Sequence, residues 1–161
     1  MKTIKVQPLT REAFSKYGSF ENLYQPQTMG VGVGTGNAFY PDVLPLDMDN
    51  ASVCVCHVKR RDMVVGNYEA HNHSTEGVVC LDADMVIFAG FGFAPFLPPR
   101  FEAFLVPKGT VVRLKAGVLH GTQFPVDRDD ATVIVMLPER TFATDFVAGK
   151  LEGDDILRLE L

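Results

Sequence analysis

Four side chains in this sequence are of the types and at the spacing that could form a metal centre. His71 and His73 stand two residues apart, which on a β-strand places both imidazoles on the same face. Glu76 follows at a turn, and His120 comes from a separate segment about forty residues later. Three imidazoles and one carboxylate converging from different segments suit a divalent ion such as Zn, Mn, Ni or Fe. We therefore predict a divalent metal site with these four ligands.

The alternative is that His71 and His73 are polar residues on a half-exposed strand. Against it, three of the four histidines of the chain fall in this pattern. The fourth, His57, is interpreted as an ordinary strand residue. It follows Cys54 and Cys56, whose spacing is a weak zinc signal without a second Cys/His pair. The metal interpretation therefore rests on the segments around residues 71–76 and 120.

The composition is that of a globular protein and excludes several partners. The chain has 161 residues, 47% of them hydrophobic, and a formal net charge of −5. The one basic run, Lys59-Arg60-Arg61, is closed at once by an aspartate, so we expect no nucleic-acid partner. No apolar stretch is long enough for a transmembrane helix, and we expect no membrane partner. An odd number of cysteines, three, inside apolar runs indicates a reducing environment, and we expect a cytoplasmic protein.

Short apolar segments separated by turns predict a mainly β fold. Residues 10–18 are predicted to form a short helix capped by Thr10 and ended by Gly18 in a left-handed conformation. Residues 19–50 are predicted to be loop with one or two short strands. The tail, 142–161, either pairs at a sheet edge or forms a short helix. Strands are predicted at 52–58, 78–81, 85–89, 101–106, 110–114 and 132–137, a spacing typical of a sandwich or barrel. We expect a single domain over 1–161, with an arm (1–50), a barrel core (51–140) and a tail (141–161).

Two segments that contain several glycines are predicted to have no part in the metal site. Residues 30–36 alternate glycine with other residues but lack the strand and helix context of a nucleotide-binding loop, so a flexible loop or twisted edge strand is predicted. Residues 88–99 are rich in phenylalanine and broken by Gly and Pro. We predict a loop there that buries its aromatic rings under the barrel or in a subunit contact.

The histidine segments resemble the paired motifs of the cupin superfamily. In the second motif, G-x5-P-x-G-x2-H-x3-N, Gly109, Gly117 and His120 stand in register, while Lys115 occupies the usual proline position. Residues 6–18 resemble the opening of ureidoglycolate lyases. The resemblance implies a cupin-like (RmlC-like) antiparallel β-barrel or jelly roll with a short N-terminal helix, and a homodimer.

The resemblance also implies a reaction, the cleavage of ureidoglycolate to glyoxylate and urea in allantoin degradation. A metal on the three histidines could chelate the carboxylate and hydroxyl of this small carboxylate substrate. Glu76, as ligand or as proton-transfer group, His120 and Lys115, which could pair with the substrate carboxylate, are the catalytic candidates. Two alternatives remain open: another metal-dependent cupin enzyme, an isomerase or dioxygenase acting on a small polar acid, or a non-catalytic cupin that binds a small ligand.

Overall fold

The computed structural model describes residues 1–34, 36–93 and 97–161, which form mostly β-strands. Two short helices are present in this part of the chain, α1 (Arg11–Phe14) and α2 (Thr141–Thr144), together with a 3-10 turn over Gly153–Asp155. The strands, in chain order, are β1 (Lys2–Pro8), β2 (Gly18–Asn22), β3 (Ala51–Lys59), β4 (Val64–Val65), β5 (Asn67–Ala70), β6 (Glu76–Cys80), β7 (Met85–Phe93), β8 (Leu97–Val106), β9 (Thr110–Leu114), β10 (Phe124–Pro125), β11 (Asp130–Pro138), β12 (Val147–Lys150) and β13 (Leu157–Glu160).

The strands form two large sheets and one small ribbon. A six-stranded sheet has the order β10-β7-β8-β1-β13-β4, and a five-stranded sheet has the order β2-β9-β6-β11-β3. Strands β5 and β12 pair antiparallel as a separate two-stranded ribbon. Pairing within the five-stranded sheet is antiparallel throughout, as expected for strands joined by short turns.

The main core lies between the two large sheets. Along β7, Met85, Ile87 and Ala89 belong to this core, and Val86 and Phe88 belong to a second apolar cluster on the opposite face of the strand. The alternation follows from the two-residue period of a strand. The inner core also takes residues from the other sheet, such as Val78 on β6. Two sheets closing on one core confirm the predicted mainly β, barrel-like fold.

The N-terminal helix is present but ends earlier than predicted. The Thr10 hydroxyl accepts a hydrogen bond from the amide of Ala13 and so caps the helix, as expected. The prediction for Gly18 was wrong, because this residue begins β2 instead of terminating the helix. Only glycine fits at position 18, because a Cβ there would lie 1.8 Å from the carbonyl oxygen of Arg113 on the paired strand β9. Phe14 anchors the helix edge-to-face on Phe104 of the core, with 5.1 Å between ring centroids.

The prediction of a Phe-rich loop over residues 88–99 was wrong for its described part. Residues 85–93 and 97–106 are the long antiparallel strands β7 and β8, and residues 94–96 lie outside the described residues. Phe88 is buried in the second apolar cluster, whereas the ring of Phe91 stacks on Tyr17 at 5.2 Å. Alternate packing on two sides of one strand explains the aromatic content without a loop.

Both alternatives for the C-terminal tail are realised in different parts of it. Helix α2 is followed by β12, which extends the small ribbon, and by β13, which pairs parallel with β1 and antiparallel with β4. The predicted loop over residues 19–50 contains most of β2 and, among its described residues, a bridge between Val31 and Phe39. Among the described residues, no helix combines the length and apolar character needed to cross a membrane.

Candidate active site

His71, Glu76 and His120 meet in a buried cluster. The Nε2 atoms of both imidazoles lie 3.0 Å from the same carboxylate oxygen, Oε2 of Glu76. The exposed fractions are 2% for His71, 5% for Glu76 and 2% for His120. Burial of three polar side chains requires each to be paired, and here they pair with one another. We call these three residues the His-Glu-His cluster.

The strands and one glycine turn determine where the three side chains point. Glu76 begins β6, and its two-residue alternation with Val78, a core residue, directs its carboxylate toward the barrel interior. Gly117 adopts a φ of +78°, which favours glycine, and its amide donates to the carbonyl of His71 at 2.7 Å. His120 exchanges two backbone hydrogen bonds with Glu69 of β5, at 2.8 and 2.9 Å. The segment preceding His120 is thus tied to the segment that carries His71.

The other ring nitrogen of each histidine bonds to a main-chain carbonyl. Nδ1 of His71 lies 2.7 Å from the carbonyl oxygen of Asp145, and Nδ1 of His120 lies 2.8 Å from that of Val118. A carbonyl oxygen only accepts, so both Nδ1 atoms carry the proton. In a neutral imidazole, Nε2 then presents a lone pair to Glu76, which is itself an acceptor. The cluster is therefore satisfied either by protons on Nε2 or by a cation shared among the three groups.

The charges within the cluster favour protons on both Nε2 atoms. Burial acts to raise the pKa of Glu76, but the charges and hydrogen bonds of His120 and His71 outweigh it and lower that pKa to about 2. Burial also acts to lower the pKa values of both histidines. The hydrogen bonds and charge of Glu76, helped by the carbonyls of Asp145 and Val118, raise them above the ordinary value. Without a metal, the cluster is an anionic carboxylate between two proton-bearing imidazoles.

The donor set of the cluster fits a divalent metal. One ligand atom from each residue lies within 4.8 Å of the other two. Two imidazole nitrogens and one carboxylate oxygen are ligands that Zn, Mn, Ni and Fe accept. The Nδ1 bonds to backbone carbonyls are the outer contacts that orient metal-bound histidines. His71, Glu76 and His120 are thus the residues that could hold the ion.

Two of the predicted site residues lie outside the cluster. His73 is exposed, its backbone amide donates to the Asp145 carboxylate at 2.9 Å, and it lines a separate polar pocket. The strand β5 ends at Ala70, so the two-residue alternation that would have aligned His73 with His71 is lost. The Lys115 ammonium donates to the carbonyl of Ser15 at 2.7 Å and thus anchors the end of α1. The structure brings together three of the four predicted metal ligands and two of the three catalytic candidates.

A pocket of about 530 Å³ adjoins the cluster. It is lined by Glu69, which is bridged to His120, and by Gly121, which follows His120 in the chain. Phe146 also lines it, and the centroid of its ring lies 6.2 Å from that of His71. The pocket also contains two basic side chains, Arg61 and Lys150. The pocket is thus lined by acidic, basic and aromatic side chains, a combination that can bind a small polar molecule.

The basic and acidic pocket residues were not predicted from the sequence. Arg61 donates to the carbonyls of Thr122 and Gln123, both at 3.0 Å, and its guanidinium lies 4.1 Å from the ring centroid of Phe124. Burial lowers the pKa of Arg61. Burial raises the pKa of Glu69, an effect that His120 opposes. The one signal for Glu69 in the sequence is that this acid lies only two residues before His71.

The comparisons with known proteins point to one family. A family model described as ureidoglycolate lyase matches residues 1–148. A ureidoglycolate lyase from Rhodobacter capsulatus is 25% identical over 131 residues, covering 78% of this chain and 81% of that protein.

Two solved structures with similarity to this chain have TM-scores below 0.5. A sugar 3,4-ketoisomerase from Thermoanaerobacterium thermosaccharolyticum has a TM-score of 0.49 and 14% identity, covering 80% of this chain and 85% of that one. The vicilin from Solanum melongena has a TM-score of 0.45 and 18% identity over 64% of this chain, which spans 26% of the vicilin.

Proposed function

Because the chain belongs to the ureidoglycolate lyase family, we propose that it cleaves the C–N bond of ureidoglycolate to give glyoxylate and urea. The observation that supports this most directly is the buried His-Glu-His cluster beside a pocket that carries both acidic and basic groups. The substrate is a small carboxylate whose reacting carbon bears a hydroxyl group and the nitrogen of a urea. Its cleavage requires the transfer of one proton and the stabilisation of negative charge on an oxygen atom.

The reaction moves one proton. The hydroxyl loses its proton as the C=O bond of glyoxylate forms, and the departing nitrogen gains one as the C–N bond breaks. His71 and His120 hold protons at Nε2 on either side of the Glu76 carboxylate when no metal is bound. We assign the transfer to the metal-free cluster: His120 gives its Nε2 proton to the departing nitrogen, and the Nε2 atom so freed takes the proton of the hydroxyl, while Glu76 holds the imidazole in place.

A divalent metal is the alternative state of the same site, because an ion held by both Nε2 atoms would replace the protons there. His71, Glu76 and His120 would hold it, in place of the four-residue set expected from the sequence. Such an ion stabilises negative charge that develops on oxygen. Its identity among Zn, Mn, Ni and Fe is set by availability as much as by this ligand set.

The substrate carboxylate needs a cationic partner, and Arg61 and Lys150 take this role in place of Lys115. Both line the pocket, and Lys150 forms no ion pair with any residue that the structure describes. A carboxylate bonded to a cationic donor gains more than a neutral hydrogen bond provides. We therefore place the carboxylate of the substrate at this basic part of the pocket wall.

Glyoxylate release from racemic ureidoglycolate tests the proposal, with metal content measured on the same sample. We expect release by the wild-type protein and a loss of at least about 100-fold in His120→Ala. His57→Ala is the matched control, because His57 is exposed on β3, and it should keep wild-type activity. A folded wild-type protein that releases no glyoxylate in either its metal-free or its metal-loaded form would refute the lyase assignment.

We also propose that a second copy of the chain is a partner. Strand β3 is an edge of the five-stranded sheet, and its outward residues Val53 and Val55 are 71% and 57% exposed. An apolar, unpaired edge favours association with another chain. Light scattering on the wild type and on Val53→Lys tests this, with a dimer that dissociates in the variant as the expected result. A monomeric wild type would contradict it.

A further inference from the structure

We propose that Glu69 recognises the N–H groups at the ureido end of the substrate. This inference rests on the proposed function and extends it, since it assigns a binding role to a residue outside the His-Glu-His cluster. Three things support it: the position of Glu69, the lack of a described protein partner for its carboxyl group, and the chemistry of a ureido group.

The ribbon of β5 and β12 places Glu69 between the cluster and the basic end of the pocket. Asn67 and Glu69 lie two residues apart on β5 and so share one face of this strand, and Glu69 is bridged to His120 of the cluster. Lys150 pairs with Asn67 across the ribbon and thus stands on that same face. A molecule lying along this face meets the cluster, Glu69 and a cation in turn.

The position of Glu69 relative to the cluster is fixed by main-chain bonds. Its amide donates to the carbonyl of His120 at 2.8 Å, and the amide of His120 donates back at 2.9 Å. The side chain of Glu69 is therefore held by a backbone pair that also positions a cluster histidine. A ligand bonded to Glu69 would be aligned with His120 by the same two bonds.

The carboxyl group of Glu69 has no hydrogen-bond donor from the part of the chain that the structure describes, although the residue is half-buried and lines the pocket. The other acid beside the histidines, Glu76, is bonded by both of them. The oxygens of the Glu69 carboxyl group stay accessible from the pocket, so donors from a ligand can take the place of water there. The residue opposite Glu69 on β12 is Ala148, whose small side chain leaves the pocket open in front of the carboxyl group.

A ureido group supplies the donors that this carboxyl group lacks. It presents an NH2 and an N–H on one planar unit, and a carboxylate accepts two such bonds through its two oxygens. An analogue without the terminal NH2 would leave one oxygen of the Glu69 carboxylate unpaired. Binding sites reject a ligand most strongly when it lacks a group that they are built to hydrogen-bond. The basic end of the pocket can meanwhile accommodate the carboxylate of the same molecule.

Binding of two unreactive probes, measured by calorimetry, tests the assignment. N-carbamoylglycine carries the ureido group and the carboxylate but lacks the hydroxyl group, and N-acetylglycine replaces the terminal NH2 with a methyl group. We expect the wild type to prefer N-carbamoylglycine by about 10- to 100-fold, the effect of one charge-assisted hydrogen bond. Glu69→Ala should bind the two probes equally, while Glu152→Ala, a change at an exposed acid, should keep the preference.

Glu69→Gln keeps the size of the side chain and serves if Glu69→Ala fails to fold. Its amide NH2 would face the NH2 of the probe, so most of the preference should be lost in this variant too. A preference retained in a folded Glu69 variant, or absent in the wild type, would overturn the role of Glu69. Glyoxylate release is measured separately: release without any Glu69-dependent preference refutes this inference alone, whereas a Glu69-dependent preference without release refutes the lyase activity alone.

Discussion

Asp145 fixes both the ring of His71 and the loop that follows it. Its main-chain carbonyl accepts the Nδ1 proton of His71 at 2.7 Å, and its two carboxylate oxygens accept the amides of Asn72 and His73 at 2.8 and 2.9 Å. Asp145 lies just after α2, more than seventy residues further along the chain. One residue of the C-terminal segment thus sets the tautomer of a cluster histidine and the backbone beside it.

Asp145→Ala should weaken metal binding by about 10- to 100-fold, the usual effect of losing an outer contact to a metal-bound histidine. The carbonyl remains in this variant, but the loop bonds that hold it against His71 are lost. Calorimetric titration with Zn²⁺ or Mn²⁺ measures the effect, and Asp145→Asn, which keeps one acceptor oxygen, should be intermediate.

The matched control for Asp145 is Asp84→Ala. The Asp84 carboxylate accepts the amide of Lys108 at 2.7 Å in a turn away from the cluster. It therefore reproduces the loss of a carboxylate–amide bond without touching His71. Equal metal affinity of Asp145→Ala and the wild type would show that the Asp145 carboxylate has no positioning role.

His73→Ala and His120→Ala should differ sharply in metal content. His120 is one of three converging ligands, and its removal should reduce bound metal to background. His73 is exposed and lies outside the cluster, so its removal should leave the metal content unchanged. Elemental analysis of the two purified variants decides the point, and a loss of metal in His73→Ala would restore the four-ligand set expected from the sequence.

The sequence predicted the fold and most of the cluster because both follow from local patterns. Short apolar segments separated by turns located six strands, and the resemblance to the second cupin motif placed Gly109 and Gly117 relative to His120. Both glycines adopt positive φ values, +76° and +78°. Glu76 points inward from β6 by the alternation of that strand, whereas His120 reaches it from the segment after β9 through a bridge to Glu69.

The remaining features depend on contacts between distant segments. His73 was expected to continue the strand of His71, but the Asp145 carboxylate, a residue of the C-terminal segment, takes up its backbone amide. Lys115 was expected to meet the substrate, but the carbonyl of Ser15, a hundred residues earlier, accepts its proton. Arg61 reaches the pocket through bonds to carbonyls near residue 122, which no local pattern indicates.

Gly18→Ala and Gly117→Ala should destabilise the protein to different extents. At Gly117 a Cβ meets nothing within 4 Å, so the cost is the left-handed backbone alone, about 1 kcal/mol. At Gly18 a Cβ would lie 1.8 Å from the carbonyl oxygen of Arg113, and β2 and β9 must separate to admit it. We expect about 3 kcal/mol there. Urea unfolding of both variants measures the difference, and equal costs would mean that β2 does not pair with β9 as described.

The stability of the metal-free protein should depend on pH through the His-Glu-His cluster. The pKa of Glu76 is lowered from 4.5 to about 2 on folding, so its contribution is complete above pH 4.5 and is lost as the pH falls toward 2. The pKa values of His71 and His120 are raised above 6.5, so their contribution is complete below pH 6.5 and is lost as the pH rises through the folded values. The cluster should therefore stabilise the fold most between about pH 4.5 and 6.5.

Glu76→Gln isolates this effect, because it removes the charge and keeps the size of the side chain. In EDTA-treated samples, the difference in the free energy of unfolding between wild type and variant should be largest between pH 4.5 and 6.5. A shift from 4.5 to about 2 corresponds to as much as about 3 kcal/mol. Urea unfolding from pH 3 to 9 gives the profile. A difference that keeps growing above pH 7 would contradict the assignment, because it would mean that neutral histidines hold the Glu76 carboxylate as well as protonated ones do.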